Sequence, residues 1–418
     1  MSVSNLLFSQ EITEDDYTRI NLSDAGGRSV TSGDFNGDAI NDIVTVGGGN
    51  SCRIFYGNSN FSSMPDYTFG DKEDLNQASS AGDVNGDGYD DLIIQRGYQY
   101  NYYNFYPHNL HIYYGSAIGI DTATKAELSY KSIQLSKHSG DINNDGFDDV
   151  LIGGENRIYF HYGRSSGINS IPDRVIEYPD AGPLRVTFVG DINDDGFDDF
   201  AVPLGNSGTN RKSSVRIYYG SSMGLDTTKS QLLTIDPKIQ SHYYYYYPLS
   251  VSKAIDVNND GIDDMIIGDP NGERLFIFYG SSDGLSDIPD KIINKPIPCP
   301  GNSRFGEDIE GVGDVNYDGI DDIVVGFDGY NHAFYIFYGS STGVSESNFT
   351  SLTKYWYNYF DISISAVGNF LNDCRNAFVI NHDYINSSVL FFPETSITPD
   401  FRIEHACDEI THYFYITS

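Results

Sequence analysis

The chain has 418 residues, enough for two or three ordinary domains, and carries 25 basic against 59 acidic side chains for a formal charge of −34. That charge repels phosphate backbones and anionic membrane surfaces, so nucleic acid is excluded as a partner, and no run of 18 uncharged apolar residues is present to enter a bilayer. Tyr (33), Phe (25) and Gly (43) are plentiful, the composition of a strand-rich chain with many tight turns.

The chain opens on MSVSNLLFSQEITEDD, which lacks both the basic start and the apolar run of a signal peptide. Two strand-like stretches follow one another there, LLFSQEI and YTRINL. Next comes GDFNGDAIND (33–42), the first of a repeated line that returns as GDVNGDGYDD (82–91), GDINNDGFDD (140–149), GDINDDGFDD (190–199), IDVNNDGIDD (255–264) and GDVNYDGIDD (313–322). A decayed copy, GNFLNDCRNA, occupies 368–377. Counted from the first acidic position or its substitute Asn369, the intervals are 49, 58, 50, 65, 58 and 55 residues, the size of a propeller blade.

Within the loops 34–42, 83–91, 141–149, 191–199, 256–264 and 314–322, side-chain oxygens fall at positions 1, 3, 5 and 9. These are Asp34, Asn36, Asp38 and Asp42; Asp83, Asn85, Asp87 and Asp91; Asp141, Asn143, Asp145 and Asp149; Asp191, Asn193, Asp195 and Asp199; Asp256, Asn258, Asp260 and Asp264; Asp314, Asn316, Asp318 and Asp322. Position 7 offers a backbone carbonyl from Ile40, Tyr89, Phe147, Phe197, Ile262 or Ile320. Alternate oxygens on a curled loop suit a hard cation that wants six to eight of them, so the spacing predicts about six bound Ca²⁺, one per intact loop. Mg²⁺ tolerates irregular, all-protein cages less well. An EF-hand would need Glu at position 12, where this chain has Thr45, Ile94, Ile152, Val202, Ile267 and Val325 inside β-branched runs. The loops therefore join two strands, and their positions 1, 5, 8 and 9 hold 23 of the 59 acids.

Each repeat carries a second line further on, such as HIYYGSAIGI (111–120), RIYYGSSMGL (216–225) and FIFYGSSDGL (276–285), whose aromatic alternation reads as a strand and whose Gly-Ser run reads as a turn. With one strand before each GD and one after each turn, every repeat has four strands. The expected fold is all-β: a single domain over 1–418, a seven-bladed β-propeller of four-stranded antiparallel blades, with the degenerate seventh repeat at 369–377. The literal GxSxG at Gly220–Gly224 is not a hydrolase elbow, because the same turn recurs blade after blade without a helix or His partner.

At RFGEDIEGVGDVNYDGIDDIVVG (304–326), with Phe305-Gly306 ahead of the loop, and at Gly268-Asp269-Pro270 after the fifth loop, the chain resembles the FG-GAP repeats of integrin α-subunits over nearly its whole length. The resemblance implies a calcium-binding propeller acting as a binding or adhesion module, with its ligand on the face opposite the calcium loops. Integrin α-subunits usually keep the loop in three or four blades, so six is a departure. Related propellers include stand-alone lectins of similar length.

Alternating strand direction places the loops and the Gly-Ser turns on one face. The other face receives tyrosine-rich stretches whose candidate ligand contacts are Tyr100, Tyr102, Tyr103, Tyr106, Tyr243, Tyr245, Tyr247, Tyr355, Trp356 and Tyr357. The expected function is a non-catalytic module for a protein or cell-surface ligand, with a calcium-stabilised lectin as the alternative. An enzyme is not expected: nine histidines form no HExxH pair, and the carboxylates are committed to the loops. The chain is expected to be a monomer, and calcium loops favour an extracellular or cell-surface setting. Cys52, Cys299, Cys374 and Cys407 lie too far apart in sequence for a zinc motif, and their pairing is left open.

Overall fold

The computed structural model describes residues 9–11, 18–22, 29–47, 51–70, 75–96, 107–131, 133–179, 181–204, 213–235, 248–296, 304–327, 332–354, 363–372, 376–381 and 387–391. Every regular element among them is a strand. The first two are β1 (Ser9–Glu11) and β2 (Thr18–Leu22); then β3 (Ser29–Gly33), β4 (Asp42–Gly47), β5 (Ser51–Phe55) and β6 (Tyr67–Phe69) pair in chain order as one antiparallel sheet. The pattern repeats in sheets that begin at Leu75–Gly82, Gln134–Leu135, Thr187–Gly190, Ser250–Val251, Asp308–Gly313 and Ser363–Asn369. The protein is thus an all-β propeller of four-stranded antiparallel blades.

The expectation of seven such blades requires correction. Among the described residues six sheets have four strands, and the sheet beginning at Asp308 has five, because β1 adds to its outer edge in parallel with Phe349–Lys354. The last sheet reaches four strands only by recruiting β2, which pairs antiparallel with Ser387–Phe391. YTRINL is therefore the strand that closes the ring, and LLFSQEI contributes the extra one. Residues 392–418, which include FRIEH and HYFYITS, lie outside the described residues. Closure is also sealed at the inner strands, where Ser32 Oγ donates to Ala366 O and Asn41 Nδ2 donates to Val367 O at 2.8 Å.

The core sits between blades. Second strands such as β4 (DIVTVG) are buried at every residue, because each is covered by a neighbouring blade on both faces. Position 2 of every loop is apolar and fully buried: Phe35, Val84, Ile142, Ile192, Val257, Val315 and, in the decayed copy, Phe370. One core cluster joins Leu22, Val30, Ile43 and Phe55 to Val367, Phe370, Val379 and Val389, so burial of apolar area across the first and last sheets drives the closure.

Candidate metal loops and the opposite face

The repeated loops fold by satisfying their own backbone. In all six intact copies the position-1 carboxylate accepts N–H groups from positions 5 and 6, as in Asp83 Oδ1 from Asp87 N (3.0 Å) and Asp83 Oδ2 from Gly88 N (2.7 Å). The position-3 amide touches the position-5 carboxylate; in the second loop Asn85 Nδ2 donates to Asp87 Oδ2 at 3.0 Å. The structure therefore brings positions 1, 3 and 5 together at the surface. Oxygen-only donors on an exposed, curled loop fit the chemistry of a hard cation such as Ca²⁺. Among the described residues, however, no three His, Cys, Asp or Glu side chains are grouped around one point, because the second donor is an amide and the fourth is held elsewhere.

That fourth donor, position 9, is a pin. Asp42, Asp91, Asp149, Asp199, Asp264 and Asp322 are all at most 1% exposed. One oxygen of each accepts the position-2 N–H of its own loop, at 3.1 Å from Phe35 to Asp42 and 3.2 Å from Ile192 to Asp199. The other accepts the N–H of Gly57, Gly115, Gly163, Gly220, Gly280 or Gly339 at the start of the Gly-Ser turn, at 2.8–2.9 Å. Loop and turn thus share one face, as the strand count requires. Burial, and then the neighbouring loop carboxylates, push Asp42, Asp91, Asp149 and Asp199 up to about 8, the backbone donors only partly opposing.

Sequence reasoning missed position 8. Asp90 Oδ2 accepts from Asp34 N in the preceding blade at 2.8 Å, and Asp148, Asp198 and Asp263 do the same to Asp83, Asp141 and Asp191 at 2.8, 2.8 and 3.1 Å. The glycine of each GD makes room for this hook. At Gly82, which sits on a β-bulge with φ +67°, an added Cβ would lie 2.1 Å from Asp148 Oδ2. Gly82→Ala is expected to cost about 1–3 kcal/mol from left-handed strain and the displaced hook, measured by urea denaturation; an unchanged midpoint would refute the account.

The second repeated line is explained by another hook. Tyr162 Oη accepts from Leu225 N in the next blade's turn at 2.9 Å, and Tyr56, Tyr114 and Tyr219 bond Ile120, Ile168 and Leu285 in the same way. In the turn itself Ser221 Oγ donates to Gly224 O at 2.6 Å, and Ser116, Ser281 and Ser340 repeat that bond. These serines are turn staples.

The other end of the ring is different. A cavity of about 420 Å³ opens where the inner strands begin, remote from the loops that end them. Lys137, paired with Asp308, and His138, whose Nε2 is 3.4 Å from Glu310 Oε2, stand in its wall. Glu310 is fully buried; burial raises its pKa, but His138, Lys253 and Lys137 outweigh it and hold the carboxyl down at about 2. Gln77, Gln134 and Arg185 also line the cavity and make no side-chain hydrogen bond or ion pair among the described residues. The ten aromatic candidates from Tyr100 to Tyr357 all lie outside the described residues. So do Cys299, Cys374 and Cys407, while Cys52 is a buried free thiol that burial pushes up.

Comparison with known proteins bears on the same segments. The FG-GAP-like repeat family model matches residues 34–94 and 141–202, which hold four of the six intact loops. The chain is 30% identical over 158 residues to integrin alpha-PS5 of Drosophila melanogaster and 31% identical over 168 residues to integrin alpha-6 of Gallus gallus, covering 34% and 36% of this chain. The matched stretch spans 15% of each relative. Integrin alpha-7 of Mus musculus is 37% identical over 109 residues, 23% of this chain and 8% of that protein. In fold, the chain is similar to BBS1N as solved in complex with ARL6DN, at a TM-score of 0.51 and 8% identity, covering 91% of this chain and 97% of that one. Repeats, relatives and sheets agree: this chain is a β-propeller that carries FG-GAP-like repeats at 34–94 and 141–202 and is similar there to integrin α-subunits.

Proposed function

We propose that this chain is a calcium-stabilised, non-catalytic binding and adhesion module, with a protein or cell-surface ligand received on the face opposite the metal loops. The observation that carries this reading is the asymmetry between the two faces. On the loop face the recurring carboxylates, tyrosine hydroxyls and turn serines are spent on bonds within and between blades. On the other face Arg185, Gln77 and Gln134 make no side-chain hydrogen bond or ion pair among the described residues and stand around one cavity. A guanidinium fork and two carboxamides offer directional hydrogen bonds to an incoming polar group. The integrin relatives support a protein ligand; the amide-rich lining gives the lectin reading its footing.

The test is capture from cell-surface extract alongside a glycan array, with wild type, Arg185→Ala and Met223→Asp compared. Met223 is 88% exposed on a turn of the loop face. Arg185→Ala should weaken binding about tenfold or more, as expected for losing a charge-assisted hydrogen bond, while Met223→Asp should leave it unchanged. The reverse ranking would move the ligand to the loop face and defeat the proposal. Saturable binding to one sugar family would decide for the lectin.

A further inference from the structure

We propose that the residue at position 8 of each loop is a positioning residue for the loop of the preceding blade, so that the loops load Ca²⁺ as a coupled series around the ring. This rests on the calcium reading above. Position 1 organises each loop, since its carboxylate gathers the N–H groups of positions 5 and 6. Its own N–H is held from outside, by a side chain 56 to 72 residues away in sequence: Asp34 by Asp90, Asp83 by Asp148, Asp141 by Asp198 and Asp191 by Asp263. Asp321 bonds the backbone of Asp256 likewise. Return bonds run from the hook's own N–H, with Asp90 N donating to Asp34 O at 2.9 Å and Asp148 N to Asp83 O at 3.1 Å.

Position 8 lies between position 7, a proposed ligand of its own loop, and position 9, the buried pin of that loop. A cation that orders position 7 also orders the hook beside it, and so fixes part of the adjoining loop before that loop takes its own ion. The second site then has less conformational freedom to lose, which is positive cooperativity without any large movement.

The choice of Asp or Asn at position 8 supports the coupling independently. All five junctions between two intact loops use Asp. Both junctions that involve the decayed blade, where Asn369 and Ala377 replace the first and last acids, use Asn. There Asn376 Nδ2 donates to Asp314 O at 3.0 Å, and Asn41 Nδ2 donates to Val367 O at 2.8 Å. Between two intact loops a half-buried carboxylate has a cation expected on each side to balance its charge. Beside a loop that has lost its acids, the neutral amide donates to a backbone carbonyl across the same junction instead of accepting the position-1 N–H, and so joins the blades without the charge.

Native mass spectrometry across a free-Ca²⁺ titration tests this, with wild type against Asp148→Asn, a variant that keeps every proposed ligand of every loop. Wild type should pass from few ions to full load with sparse intermediates. Asp148→Asn should weaken the site in the preceding loop, 83–91, by about tenfold, within the usual range of coupling, and raise hydrogen exchange at residues 84–89. A statistical ladder of intermediates in wild type, or a loss confined to 141–149, would overturn the coupling while leaving the calcium reading standing. Wild type that takes up no Ca²⁺ would remove both.

Discussion

Asp199→Ala is expected to destabilise the calcium-free protein by about 2–6 kcal/mol, whereas Asp195→Ala in the same loop should change it by less than about 0.5 kcal/mol. The two residues are both acidic members of one motif, yet they differ in what they hold. Asp199 is 0% exposed and accepts from Gly220 N at 2.8 Å and Ile192 N at 3.2 Å, so its removal orphans two buried donors at about 1–3 kcal/mol each. Asp195 is exposed and accepts from Phe197 N at the loop surface, where water replaces it. Asp199→Asn, which keeps one acceptor, should fall between. The measurement is urea unfolding in EGTA; equal effects of the two alanine variants would show that position 9 is not the pin described.

Chelation should have the second large effect, and its size should depend on pH. An ion bound only by the folded state adds about 2.7 kcal/mol per site at a free concentration one hundred times Kd, so excess EGTA should lower the melting temperature at neutral pH. Burial first, and neighbouring carboxylates second, raise Asp42, Asp91, Asp149 and Asp199 to about 8 from an ordinary 3.8. Between those values the folded protein binds more protons than the unfolded chain. The calcium-free protein should therefore be most stable below about pH 4 as far as these groups act, losing that contribution as pH rises through about 8. With calcium the trend reverses, because protons displace the ion as pH falls. Thermal melts from pH 5 to 9 with and without calcium should give slopes of opposite sign; parallel curves would count against both the buried aspartates and the ion.

Much of the fold was readable because its signals are local. The oxygen spacing, the apolar run after each loop and the aromatic strand before each Gly-Ser turn recur within one repeat, and strand direction then places loops and turns on one face. The GD glycine and position 8 were equally visible as letters, but their meaning lies in the next repeat, where Asp148 meets Gly82 and Asp83. Position 9 was grouped with the ligands by spacing alone, and spacing does not reveal that both of its oxygens face backbone donors.

By itself, then, the sequence determined the repeat, the strands of each blade and the chemistry of the loops, because each depends on side chains a few residues apart. Only the tertiary structure decided which terminal strand closes the ring, since YTRINL alternates no differently from its rivals until it pairs with Ser387–Phe391. It likewise decided that Ser9–Glu11 enlarges one sheet, that hooks join neighbouring blades, and that Arg185, Gln77 and Gln134 meet at one cavity. The physical reason is common to all of these: each is a contact between residues of different repeats, brought together only when burial of the inter-blade core closes the ring.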